Sequence, residues 1–150
     1  MAKLSTVRIT DEGRWFTYYE DPEGEVPSIE FLVGSTASAS FKRKERKLAQ
    51  RHMDRNPGAR FSGQGVSLSE NALQVMQIDL AKELCQDWRG IENDDGTIDE
   101  YSDARKEEIL NDPNHGDIVA FLHQCGNNLA AHTQAAKEEA VKNSPTASAT

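Results

Sequence analysis

The alternation of apolar and polar residues changes period along this chain, and each change predicts an element. From residue 5 to 33 the rhythm is short. Val7-Arg8-Ile9 alternates, Trp15-Phe16-Thr17-Tyr18-Tyr19 is rich in aromatics, and Ile29-Glu30-Phe31-Leu32-Val33 is a third brief run. Runs of this length and composition read as strands. Asp11-Glu12-Gly13 and Asp21-Pro22-Glu23-Gly24 supply turn chemistry between them. The pattern predicts an antiparallel meander of two or three strands, which needs a helix to cover its apolar face.

Beyond residue 34 the period becomes helical. A helix is predicted from about Ala37 to Met53, capped by Ser35 or Ser38 and ended by Asn56-Pro57-Gly58. Its apolar stripe, Phe41, Leu48 and His52, is narrow. Arg60 to Val66, with Gly63 and Gly65, reads as a loop. Ser67 and Glu70 then form a capping box ahead of a stripe through Leu73, Met76, Leu80 and Leu84 that continues to Trp88, with Val75, Ile78, Ala81 and Cys85 beside it. Apolar residues cover most of that circumference, which predicts a central helix contacted on two sides or a face reserved for another subunit. A short helix is expected from Ser102 to about Leu110. Asp112-Pro113-Asn114-His115-Gly116 breaks the chain before a long helix from near Asp117 to Val141. There Ile118, Leu122, Cys125, Leu129, His132 and Ala136 follow a heptad seam, widened by Val119 and Phe121 and weakened by Gly126-Asn127-Asn128. The expected fold is mainly α: four helices with a small N-terminal antiparallel β meander. Residues 1–34 form the meander, 35–143 the helical domain, and 144–150 a disordered tail.

Length and composition fit one domain with a modest core: 150 residues, few aromatics and a net charge of −8. No apolar run approaches the roughly 20 residues of a membrane span, and no signal-peptide core is present. Cys85 and Cys125 lack metal spacing and lie beside apolar residues, so buried reduced thiols in a cytosolic protein are expected. The charge is segregated. From Lys42 to Arg60 eight basic residues face two acidic ones, and from Asp87 to Asp117 eleven acidic residues face three basic ones. Such blocks can pair within the chain or between copies stacked head to tail, or each can meet a partner. The basic segment makes Lys42, Arg43, Lys44, Arg46, Lys47 and Arg51 a candidate charged interface. Only Phe41 and Phe61 lie nearby, too few for a stacking platform on nucleic acid.

One stretch invites a metal reading. With Gly96 at the sixth position of a calcium loop, Asn93, Asp95, Thr97 and Asp99 fall on ligand positions. The first position is then Ile91 and the last is Ser102, and neither supplies the carboxylate that the ion requires. The stretch is better read as a hydrated turn at Asp95-Gly96, with Ile98 pinned back onto the core. Trp88 and Ile91 staple one side of the corner, Tyr101 and Ser102 stack and cap the other, and Gly90 and Gly96 supply the bends. Elsewhere the four histidines, His52, His115, His123 and His132, are scattered, and no HExxH, GxSxG, GxGxxG or phosphate-loop motif occurs. No enzyme activity and no cofactor are expected.

The same corner carries a resemblance. Trp88-Arg89-Gly90-Ile91, then Asp94-Asp95-Gly96-Thr97-Ile98, then Tyr101-Ser102 ahead of a short acidic helix resembles the tail assembly chaperones of long-tailed, siphovirus-type bacteriophages. Those show a "W-x-G-I … D/E-G-x-x-x-x-Y-S" turn between two helices and often end near a Lys-Asn pair, here Lys142-Asn143. Trp15 and Tyr18 ahead of Ile29–Val33, followed by a basic helix, are similar in kind. The likeness spans most of the chain and is specific from about Leu73 to Asn143. It implies a non-enzymatic protein of the host cytoplasm, absent from the finished virion, that coats the tape measure protein and helps recruit major tail tube subunits. A long apolar helical client needs an apolar helical groove. The expected contacts are Leu73, Met76, Leu80, Leu84, Trp88, Ile118, Leu122 and Leu129, with Trp88 alternatively a core anchor. Two other readings remain: a small nucleic-acid-binding regulator acting through 42–60, and a calcium-responsive helical module.

Overall fold

Strands form where alternation and aromatics predict them: β1 (Arg14–Tyr19) and β2 (Ile29–Val33) pair antiparallel, with Trp15 opposite Leu32 and Phe16 opposite Phe31. The computed structural model describes residues 12–55 and 70–142. The expected strand at Val7-Arg8-Ile9, the stop at Asn56-Pro57-Gly58, the 60–66 loop, the Ser67 cap and the 144–150 tail lie outside the described residues. Between β1 and β2 the Asp21 carboxylate accepts the backbone N–H groups of Glu23, Glu25 and Val26 at 2.9–3.2 Å, and Gly24 takes φ +69°. These bonds, that of Glu23 foremost, hold the Asp21 carboxyl below its ordinary range.

Helix α1 (Ala39–Arg55) starts at a serine pair. Ser38 Oγ accepts the Phe41 N–H, and Ser35 Oγ accepts that of Ala37. Helix α2 (Glu70–Leu84) is the centre of the domain, packed against α1 and against the two later helices, α3 (Asp103–Asn111) and α4 (Gly116–Lys142). The expectation that its stripe continues as helix to Trp88 is corrected. Cys85–Arg89 is a strand, β3, which pairs antiparallel with β2 and completes a sheet of order β1-β2-β3. Donors from distant parts of the chain take carbonyls of the helix's last turn and of the first residue of β3. Gly34 N–H donates to Leu84 O at 2.9 Å, and Lys106 Nζ donates to Lys82 O at 2.8 Å and Cys85 O at 3.1 Å. The backbone that follows can then satisfy the open edge of β2.

The inner face of the sheet presents Phe31 and, directly opposite it, Trp88, and the core grows from this pair. Phe31, Val33, Leu80, Leu84, Trp88, Ile109, Leu110 and Leu122 belong to one buried cluster. On the outer face Glu30 lies opposite Arg89, which donates to both its carboxylate oxygens at 3.0 and 3.2 Å and stacks 4.0 Å over the Trp15 ring. Helix α4 crosses the β2–α1 loop at Gly126. A Cβ there would approach Thr36 Cγ2, Gly34 O and Leu84 Cδ2 to 3.0–3.1 Å, and the Gly126 carbonyl accepts the Thr36 N–H. The mid-helix glycine is therefore a close-approach site that offsets its poor helix propensity.

The corner between β3 and α3 is fixed by few atoms. Trp88 Nε1 donates to Asp99 O at 2.7 Å, and its ring meets Tyr101 edge-on at 4.9 Å. Ser102 Oγ accepts the Arg105 N–H and caps α3. The chain from Ile91 to Asp99 folds on itself through Asn93 N–Thr97 O, Gly96 N–Asn93 O and Asp99 N–Ile91 O bonds of 2.7–2.9 Å. Asp99 turns inward, 7% exposed, and its carboxylate accepts from Arg105 at 3.0–3.1 Å. Side chains alternate along an extended ladder, so the preceding residue points out. Ile98, expected against the core, is 71% exposed.

Two predictions follow from this packing. Gly90 and Gly96 have nearly the same φ, +84° and +85°, but a Cβ on Gly90 would collide with Ser28 O whereas one on Gly96 meets open space. Gly90→Ala is expected to cost about 3 kcal/mol and Gly96→Ala about 1 kcal/mol, read by denaturant unfolding. Burial raises both thiols to about 11, in Cys85 against the opposing pull of Lys106. Neither should react with a disulfide probe at neutral pH until the chain unfolds, when both should titrate.

Candidate interaction surfaces

Apolar residues exposed on helices are what a partner can use, and burial sorts those the sequence singles out. Leu80, Leu84, Trp88, Leu122 and Leu129 are 9% exposed or less, so the expected groove along α2 and α4 is closed by the protein's own core. α1, α3, α4 and the adjoining strand β3 together take up most of α2's wide apolar circumference. Met76 and Ile118 are half-buried against that core, and Leu73 remains 44% exposed.

Two shallow grooves flank α2. The first, about 550 Å³, runs between α2 and α4 and is lined by Gln77, Val119, Ala120, His123, Gln124 and Asn127. His123 Nε2 bonds to the Gln77 carbonyl at 2.8 Å; a carbonyl only accepts, so that nitrogen carries the proton. Leu73 stands one turn before Gln77 on the same helical row. Val119 and Ala120 make the groove's apolar strip, and Gln77, Gln124 and Asn127 rim it with amides, with Leu73 outside its lining. Heptad reading overlooks it because it counts the buried seam rather than the positions beside it. Val119, which widens the seam, is the one signal that leads there.

The second groove, about 350 Å³, lies between α1 and α2. Leu48, Val75 and Met76 form its apolar lining, and Arg51, His52 and Asp79 are among its polar residues. Val75 is 60% exposed. Along α1, Lys42, Arg43, Arg46, Lys47 and Arg51 are exposed and Lys44 is half-buried. Lys42 lies 3.7 Å from Glu45. The two charge blocks meet only in part. Lys44 of α1 shares a cleft with Asp79, Lys82, Asp103, Lys106 and Glu107, in which Lys82 bonds to Glu107 at 2.7 Å and approaches Asp79 to 3.4 Å. Lys82 holds the Glu107 carboxyl below its ordinary range.

At the corner, the oxygens that a calcium loop would use already have protein partners. Asp95 accepts from Thr97 N–H and Oγ1 at 3.0 and 2.6 Å, bonds that lower its carboxyl pKa, and Asp99 is held by Arg105. Among the described residues, no group of three or more His, Cys, Asp or Glu could hold a metal ion, and no helix is long and apolar enough to cross a membrane. Gly90, Ile91, Gly96, Tyr101 and Ser102 all lie in this corner, where they bend, pack and cap. Around its outward tip Glu92, Asp94, Asp95 and Glu100 are exposed beside Ile98.

Comparison with known proteins bears on the helical part. No curated protein and no solved structure matches the chain. Residues 35–143 match the model of a family described as YdaY prophage protein. The match begins just after β2 and takes in β3, the corner and all four described helices. With most of its length matched in this way, the chain belongs to the YdaY prophage protein family and is of phage origin.

Proposed function

We propose that this prophage protein is a tail assembly chaperone, which binds the tape measure protein in the host cytoplasm, keeps it soluble, helps recruit major tail tube subunits and is left out of the virion. The observation that carries the reading is the corner itself. Of the residues that resemble the chaperone pattern, Trp88, Tyr101 and Ser102 are tied in by the Trp88–Asp99 bond, the Trp88–Tyr101 ring contact and the α3 cap. Ile91 is tied in by its carbonyl to Asp99 N–H and Gly96 by its N–H to Asn93 O, while Gly90 makes the bend after β3. The resemblance thus rests on a set of residues that act as a structural unit, in a protein of phage origin.

The client surface is the α2–α4 groove rather than the buried seam. Val119 and Ala120 offer an apolar strip to one face of a client helix, and Gln77, Gln124 and Asn127 offer hydrogen bonds to its polar flanks. So shallow a groove gives weak single-site binding. Many copies along one long client supply the rest through effective concentration. The proposed role is binding, with no catalytic step.

Co-expression with the tape measure protein of the same prophage tests this. The soluble fraction of that protein should rise with the wild-type chain. Ala120→Glu places a charge on the apolar strip at an exposed position and should weaken retention of the client by about tenfold or more while thermal melting stays unchanged. Unchanged client solubility with the wild-type chain would sink the chaperone reading. DNA retention that falls steeply with salt, and is lost in Arg46→Glu, would instead assign the exposed basic face of α1 to nucleic acid.

A further inference from the structure

A large apolar side chain stands on the returning arm of the acidic turn, at the bridge opposite Glu92, with little of its own chain around it. Ile98 is 71% exposed, and Glu92, Asp94, Asp95 and Glu100 surround it in sequence, all exposed. The turn that carries it is stiff. Asn93 and Thr97 bond through backbone and side chain at 2.7 and 3.0 Å, Gly96 N–H returns to Asn93 O at 2.9 Å, and Thr97 is tied to Asp95. A side chain held out this way loses little conformational freedom on binding. The α1–α2 groove has the opposite character. Leu48, Val75 and Met76 line it with apolar surface; Arg51 edges it on the α1 side and Asp79 on the α2 side, and the exposed Lys47 stands one turn before Arg51 on α1.

We propose that Ile98 and the exposed carboxylates that flank it in sequence dock into the α1–α2 groove of a second copy of this chain, so that copies associate head to tail. The two surfaces are complementary in both terms that make a small interface specific: an apolar knob with a place to go, and acidic residues facing the basic α1 side of the groove, where Lys47 and Arg51 stand, away from Asp79 on the α2 side. The groove is built on the first half of α2, and the turn follows the strand that leaves the far end of that helix. The contact is heterologous: each copy uses a different patch and leaves one of each unused, so association continues along a row. One knob and its flanking carboxylates bury less than a standard interface, so the association is weak, reversible and sensitive to salt. It uses neither the α2–α4 groove nor any client and stands apart from the chaperone reading.

Sedimentation velocity of the full chain, without client, tests it across concentration and at low and physiological salt. Mass should rise with concentration and fall with salt. Ile98→Ser, which removes the knob, and Val75→Glu, which puts an acid in the groove, each change an exposed side chain. Both should weaken association by about tenfold or more with melting unchanged. Arg51→Glu should do the same from the rim. The decisive arm mixes Ile98→Ser with Val75→Glu: one retains the groove and the other the turn, so together they should form one-to-one dimers that neither forms alone. A wild-type chain that stays monomeric, variants that associate as the wild type does, or a mixture that stays monomeric would each overturn the proposal. A monomeric wild type whose Val75→Glu variant loses the tape measure protein would give the groove to the client and leave the chaperone reading intact.

Discussion

The last carbonyls of α2 need donors, and Lys106, from another helix, supplies one of the bonds and a second to the first residue of β3. Its ammonium reaches Lys82 O and Cys85 O, while Gly34 N–H takes Leu84 O. Hydrogen bonds from a charged donor contribute about 1.5–3 kcal/mol each, enough to end a helix that no glycine or proline ends. Because α2 stops there, Cys85–Arg89 is free to extend along β2, and Trp88 lands opposite Phe31. Trp88 then holds Asp99, Asp99 holds Arg105, and Arg105 lies beside Lys106 on α3. The chain of contacts closes on itself: α3 caps the helix whose end made room for the corner that positions α3. Such mutual support is what a cooperative native state requires.

That closure also decides which apolar residues reach the surface. A helix followed directly by a strand brings a sheet over one of its sides, and α1, α3 and α4 take the others. Leu80 and Leu84 vanish into the core, while Val75 and Leu73, nearer the start of α2, stay in view. Among the described residues, the apolar openings beside this helix include two shallow grooves, one edged by amides and one by Arg51 and Asp79. Their chemistry differs enough to serve different occupants: a long, mostly neutral apolar helix in the first, an acidic tip in the second.

Local signals in the sequence were reliable wherever the determining contact is local. The alternation of Ile29–Val33, the serine caps at Ser38 and Ser102, the break at Pro113 and the long final helix depend on neighbours within a few residues. The third strand was not legible, because Gln86-Asp87-Trp88 carries no strand signal strong enough to outweigh the helical stripe before it. Its cause lies at Gly34 and Lys106. Burial of the apolar seam is hard to read from sequence for a related reason. An apolar seam has the same spacing whether a client or the protein's own sheet covers it, so Leu122 and Leu129 look alike in either case. Gly126 reads as a weakness until the loop at Gly34–Thr36 is seen to pass over it.

Ile98 shows how one ion pair can set a surface. Asp99 is buried because Arg105 and the Trp88 indole hold its carboxylate and its carbonyl. A buried carboxylate stripped of its cation would be costly, so Asp99 keeps the inward position and its neighbour is forced outward. The exposure of Ile98 is therefore a consequence of the core, not an unused side chain left over from it. Any substitution that loosens Asp99 should let the turn rotate and withdraw the apolar tip before the helices come apart. In this fold the contacts that stabilise the corner and the surface that the corner presents cannot be tuned independently.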